Sequence, residues 1–159
     1  MEMKYPDEMN TKGILKSGDD QTVERQKKVY FVLQHVASVF DHSLQRLPDY
    51  QYEVKTDSAF SLFAYQHKDS KEQLLTIWLH NGIPKNENKA IQLDLKLNDA
   101  AFSNPVYVDM MSGAIYSIPA KNIKRSGNTI TFNNIPVYDS PILLADESLI
   151  PIRGQEQNE

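Results

Sequence analysis

The chain has no cysteine, which excludes disulfides, thiolate nucleophiles and cysteine-bound zinc. It leaves the compartment open, because many exported bacterial proteins also lack cysteine. No apolar run approaches the ~20 residues needed to cross a bilayer, so no membrane is expected as a partner. The opening MEMKYPDEMNTKG lacks the apolar segment of a signal peptide. Positive charge is not in excess: 17 Lys and Arg stand against 21 Asp and Glu, a net charge of −4. That balance lacks the basic stripe of a nucleic-acid binder, and no nucleic acid is expected. Internal repeats and low-complexity tracts are also missing.

What remains is a chain of 159 residues, 40% of them apolar, enough for one domain with a real core. Residues 1–20 show no period and collect Pro6, Gly13, Gly18, Asp19 and Asp20, so they read as loop. From about Val23 to Leu44 the apolar positions Val29, Val32, Leu33, Val36, Ala37, Val39, Phe40 and Leu44 fall on one side at ~100° per residue. This predicts a long N-terminal helix over 21–47, capped by Asp20 or Thr22 and ended by Pro48. Its apolar arc is wider than the ~100° of an ordinary surface helix, and Phe31 lies outside even that arc, so two packing partners are expected.

After Pro48 the period becomes two. Strands are expected in YQYEV (50–54), AFSLFAYQ (59–66), QLLTIWL (73–79), IQLDLKL (91–97), PVYVDMM (105–111), AIYSIP (114–119), NTITF (128–132) and PILLAD (141–146). Ser112-Gly113 and Ser126-Gly127 mark turns. With no second helix among them, about eight short strands describe a mainly β fold, an antiparallel β-sandwich over 48–152, followed by a disordered tail over 153–159.

No catalytic set emerges. His35 and His42 lie seven apart on the polar arc of the helix, without the i, i+4 spacing and third ligand of a metal site, and read as solvated. His67 and His80 fall at strand-end turns, and no Ser-His-Asp order can be built from them. Most carboxylates sit in turns or tails. Asp109 and Asp139 read as residues that bond turn amides, not as an acid/base pair or calcium ligands. Trp78, the only tryptophan, lies in a run apolar on both faces and reads as core, not as a platform for sugar. Tyr50, Tyr52, Tyr65, Tyr107, Tyr116 and Tyr138 are better surface candidates, but spacing does not say which of them cluster. No catalytic, cofactor or metal residue is therefore assigned, and no cofactor is expected.

Four stretches carry a resemblance. MNTKGILKSGD (9–19) with KKVYFVLQHVASVFD (27–41) resembles the end of the (β/α)8 barrel in clan-A-type bacterial glycoside hydrolases, where a loop after the eighth strand leads into the last barrel helix. PVYVDMMSGAIYSIP (105–119) and IPVYDSPILLADESLI (135–150) resemble the β-sandwich that follows such a barrel, the second stretch as its closing hairpin and last strand. Family catalysis uses two glutamates on barrel strands that this chain lacks, so the resemblance carries over no catalytic residue. Glu8 and Lys12 would border the substrate cleft of a full-length parent. The resemblance implies a non-catalytic C-terminal region of a glycoside hydrolase serving domain packing and stability, with the absent barrel as its partner. It further implies a periplasmic or secreted location. The wide apolar arc of the helix (Val29, Val32, Leu33, Val36 and Phe40, with Phe31) exceeds what one sandwich face can bury, so without the barrel a homo-oligomer through the helix is expected. The other reading is a free-standing carbohydrate-binding module making weak contacts with sugar. A row of exposed aromatics on one sheet face would favour the module, and an exposed apolar helix face the hydrolase region.

Overall fold

The computed structural model describes residues 4–5, 8–9, 13–17, 22–80 and 89–151. Strands β1 (Lys4–Tyr5) and β2 (Glu8–Met9) pair antiparallel, as do β3 (Leu15–Ser17) and β4 (Val23–Gln26). Helix α1 (Lys28–Val39) follows, the one α-helix among the described residues. Then come β5 (Leu44–Leu47), β6 (Tyr52–Val54), β7 (Phe60–His67), β8 (Gln73–Leu79), β9 (Ile91–Leu97), β10 (Pro105–Asp109), β11 (Ile115–Ser117), β12 (Ile123–Ser126), β13 (Thr129–Val137) and β14 (Ile142–Asp146). Six of them form one antiparallel sheet in the order β11-β10-β14-β8-β7-β5, and four form another in the order β12-β13-β9-β6. The protein is mainly β.

The two sheets share a core. Ala64, Leu75, Ile77, Tyr107, Ile142 and Leu144 from the larger sheet meet Leu93, Leu95, Leu97, Ile130, Phe132 and Val137 from the smaller one. The clean alternation of IQLDLKL decides which side of β9 is buried: Leu93, Leu95 and Leu97 face in, while Gln92, Asp94 and Lys96 are exposed. Strand β14 differs, being buried at every residue. Its Ile142 and Leu144 enter the shared core, whereas Leu143 and Ala145 join a second cluster with Val39 of α1, Leu74, Val106, Val108 and Met110. The helix therefore lies on the outer face of the six-stranded sheet.

Several sequence expectations need correction. The helix spans 12 residues, not 21–47. Its N-cap is Lys27, which makes no side-chain cap hydrogen bond, and Val23–Gln26, expected as helix, pairs with β3 instead. It ends well before Pro48, because the Asp41 carboxylate accepts from the Ser43 amide at 2.8 Å and from the Ser43 hydroxyl, an Asx turn that competes with further helix. Leu44–Leu47 then becomes the edge strand of the larger sheet, so that sheet begins before residue 48. Each of the eight expected runs holds a strand, and β5 and β12 raise the two sheets to ten strands. The expected loop over 1–20 contains β1, β2 and β3. Residues 135–150 do not form a closing hairpin: β13 and β14 belong to different sheets, and Tyr138–Pro141 carries the chain between them. The tail over 153–159 lies outside the described residues.

Two polar ties fix the ends of central strands. The buried Asp146 carboxylate accepts from the backbone amides of Ser103 (2.6 Å), Asn104 (2.9 Å) and Ser148 (3.2 Å), and from the Ser148 hydroxyl (2.9 Å). Burial raises its pKa, but the hydrogen bonds from Asn104, Ser148 and Ser103 together lower it by more, so it lies below the usual carboxylate value. Buried Gln73 donates to the Asp99 carbonyl (2.9 Å) and accepts from the Ala101 amide and the Tyr50 hydroxyl (both 2.9 Å).

The turn after β10 meets the helix. Asp109 accepts from the Met111 amide (2.8 Å) and the Ser112 hydroxyl (2.7 Å), the turn-holding role expected of it. Gly113 has φ +74°, and a Cβ there would lie 2.6 Å from Nε2 of His35, whose Nδ1 is 3.0 Å from the Met110 carbonyl oxygen. His35 is therefore partly buried and packed, not simply solvated. Gly127 also has a positive φ, +57°, but open space around its missing Cβ. Gly113→Ala is expected to cost more than the ~1–3 kcal/mol of backbone strain alone, and Gly127→Ala about that strain or less. Urea unfolding of both variants checks this; equal losses would show that the His35 contact yields freely.

Candidate functional site

Among the described residues, two grooves each gather three or more Phe, Tyr or Trp side chains. The first is a groove on the outer face of the six-stranded sheet beside α1. The register places Ser61 opposite Trp78, Phe63 opposite Thr76, and Arg46 opposite Tyr65, so Arg46, Phe63 and Trp78 run diagonally across β5, β7 and β8. The Arg46 guanidinium lies 4.7 Å from the Phe63 ring centroid, within cation–π range, and Phe63 stacks on Trp78 at 5.4 Å and 28°. Phe40, at the end of the helix, meets Tyr65 edge-on at 5.1 Å. Together with Val36 these residues line a groove of about 440 Å³.

This places Trp78 differently from expectation. Its strand is central, as the apolar run implies, but alternation puts Leu75, Ile77 and Leu79 in the shared core and Trp78 on the opposite, partly covered face. The groove continues into the helix. Val29, Leu33 and Val36 fall on one stripe at i, i+4, i+7 and are 44%, 49% and 38% exposed, although all three are apolar.

The second surface is a cleft of about 290 Å³ where β11 and the crossover to β12 meet β13. Tyr107, Tyr116 and Tyr138 line it, with Asp109, Asn122 and Asn134. Tyr107 and Tyr116 are cross-strand partners, their rings 6.0 Å apart and tilted by 57°. Tyr107 is buried and its hydroxyl donates to the Pro136 carbonyl at 3.1 Å. Burial, then the neighbouring Tyr138, Asp109 and Tyr116, push its phenol pKa up, so it remains a neutral donor. Tyr116 lies on the same side of the edge strand yet is 55% exposed, since the sheet ends there. Asn134 sits at a bulge in β13 between Phe132 and Ile135, with φ +55° and its amide donating to Asp94 Oδ1 at 2.9 Å. Sequence reasoning named the three tyrosines but not their clustering; the bulge and the two asparagines gave no signal in spacing.

The other sequence candidates are scattered. His42 is exposed, and Nδ1 of His67 accepts from the amides of Asp69 and Ser70 in a turn. His80 Nδ1 is 2.9 Å from the Ser61 hydroxyl, an exposed pair that lines neither surface described above. Glu8 lies in β2, and Lys12 is outside the described residues. Among the described residues, no group of three His, Asp or Glu side chains is placed to hold a metal, and no helix is long and apolar enough to cross a membrane.

Trp78→Ala is expected to cost clearly less than the ~3–5 kcal/mol of a buried aromatic, whereas Phe132→Ala, at a fully buried position, should cost that much. Equal losses in denaturant unfolding would place Trp78 back in a core.

No family model, curated protein or solved structure matches this chain, so the functional reading rests on its residues and surfaces.

Proposed function

We propose that the chain is a non-catalytic C-terminal β-sandwich region of a glycoside hydrolase, serving domain packing and stability. The sequence resemblance to the end of a clan-A-type barrel and its following sandwich supplies the family. The observation that carries the packing role is the exposed apolar stripe Val29, Leu33 and Val36, continuous with the groove at Phe40, Phe63 and Trp78. At ~25 cal/mol per Å² of apolar area, a surface of this kind gains by being covered. A barrel seated on α1 would cover it, and α1 would then pack on the sheet with one side and on the barrel with the other.

The free-standing carbohydrate-binding module is the weaker reading. Its signature would be a row of exposed aromatics on one sheet face, but the exposed tyrosines Tyr52 and Tyr116 lie on different sheets, and Phe63 and Trp78 are partly buried against each other. Among the described residues, neither surface is lined by a pair of carboxylates, and no catalytic role is proposed.

Without the barrel, the same stripe should drive self-association of this chain. Sedimentation velocity should therefore give a coefficient that rises with concentration, and the triple variant Val29→Gln, Leu33→Gln, Val36→Gln should remain monomeric. A parent chain that stays monomeric across the same range would remove the physical support for a packing surface.

A further inference from the structure

We propose that the tyrosine cleft at the β11 edge is a binding subsite for a neutral saccharide. The proposal goes beyond the packing role, uses a different surface from it, and rests on that reading only for its expectation that sugars are at hand. The class of ligand follows from what lines the cleft. Tyr116 presents an exposed ring and Tyr107 and Tyr138 add flanking rings, while Asn122 and Asn134 bring side-chain amides, each able to donate and accept. Aromatic faces with amides are the chemistry that suits the alternating C–H faces and hydroxyl rims of a pyranose. At about 290 Å³ the cleft lies near the lower bound of ~300 Å³ for small-molecule sites, which suits one or two sugar rings and not a large cofactor.

Charge narrows the class further. None of the described lining residues is Lys, Arg or His, so no cation is present to hold a phosphate, sulfate or uronate. The one ionisable carboxylate, Asp109, already accepts from the Met111 amide and the Ser112 hydroxyl, and an anion would meet it unfavourably. The cleft also has an architectural cause. Tyr116 shares the inner side of the larger sheet with Tyr107, but on the last strand, and the bulge at Asn134 bends β13 at the same place.

The test is an NMR titration of the isotope-labelled chain with cellotetraose, xylotetraose, maltotetraose and, as an anionic probe, trigalacturonate. At least one neutral tetrasaccharide should produce saturable shifts at Tyr107, Tyr116 and Tyr138 while the Trp78 indole signal stays still. Two variants follow from the geometry. Tyr116→Ala removes a ring that is mostly exposed, and Asn134→Gly removes an amide at a position whose positive φ glycine adopts readily. Each should keep the fold, judged by an unchanged spectrum away from the cleft, and weaken binding by about tenfold or more. The proposal is overturned if none of the three neutral saccharides saturates, if the shifts survive both variants or map to Trp78, or if trigalacturonate binds best. Failure here would leave the packing role untouched, since sedimentation reads a different surface.

Discussion

Strand β14 is buried on both faces, and the rest of the structure follows from having to cover it. Its inward residues Ile142 and Leu144 require the four-stranded sheet; its outward residues Leu143 and Ala145 are covered by Val39 and Phe40 at the end of the helix together with Leu149 and Ile150. Asp146 at its end then holds the amides of Ser103 and Asn104, which sets where β10 begins beside it. The outer cover is incomplete for a simple reason of size. A helix of 12 residues at 1.5 Å per residue is about 18 Å long and ~10 Å wide, while six strands at ~4.8 Å spacing span about 24 Å. Apolar surface at Phe63 and Trp78 is left at the margin, and the helix itself turns Val29, Leu33 and Val36 to water. One burial requirement thus produces both the core and the apolar surface left open beside it.

The second surface comes from the other mismatch. One sheet has six strands and the other four, and the tyrosine cleft sits at an edge of the larger sheet where the chain crosses to the smaller. The two surfaces are chemically unlike: the groove is apolar with one guanidinium capping an aromatic stack, the cleft aromatic with amides and no cation. Packing at one and ligand contact at the other are therefore compatible in a single chain.

Much of the fold was legible in short-range pattern. IQLDLKL alternates because one side of β9 meets water, and PILLAD does not alternate because neither side of β14 does. Where the pattern misled, a local device or a long-range fact intervened. Leu44 extends the helical apolar series, yet the Asp41–Ser43 turn breaks the helix and hands Leu44–Leu47 to a sheet edge. LLTIWL told correctly that β8 is central, but apolar character alone cannot say that the outer cover thins out before Trp78. The tyrosine cluster joins Tyr107 and Tyr116 to Tyr138 by pairing across β10 and β11 and by a crossover, contacts that no local spacing encodes. His35 read as solvated because its bond to the Met110 carbonyl spans 75 positions of sequence.

The central claim is that this region packs on a catalytic barrel through α1 and the groove beside it. The most direct measurement is the intact mass of the native polypeptide that carries this sequence in its source. The account predicts a chain with at least about 250 further residues preceding this region, the length a (β/α)8 barrel needs. A native chain of about the mass of this region alone would contradict it.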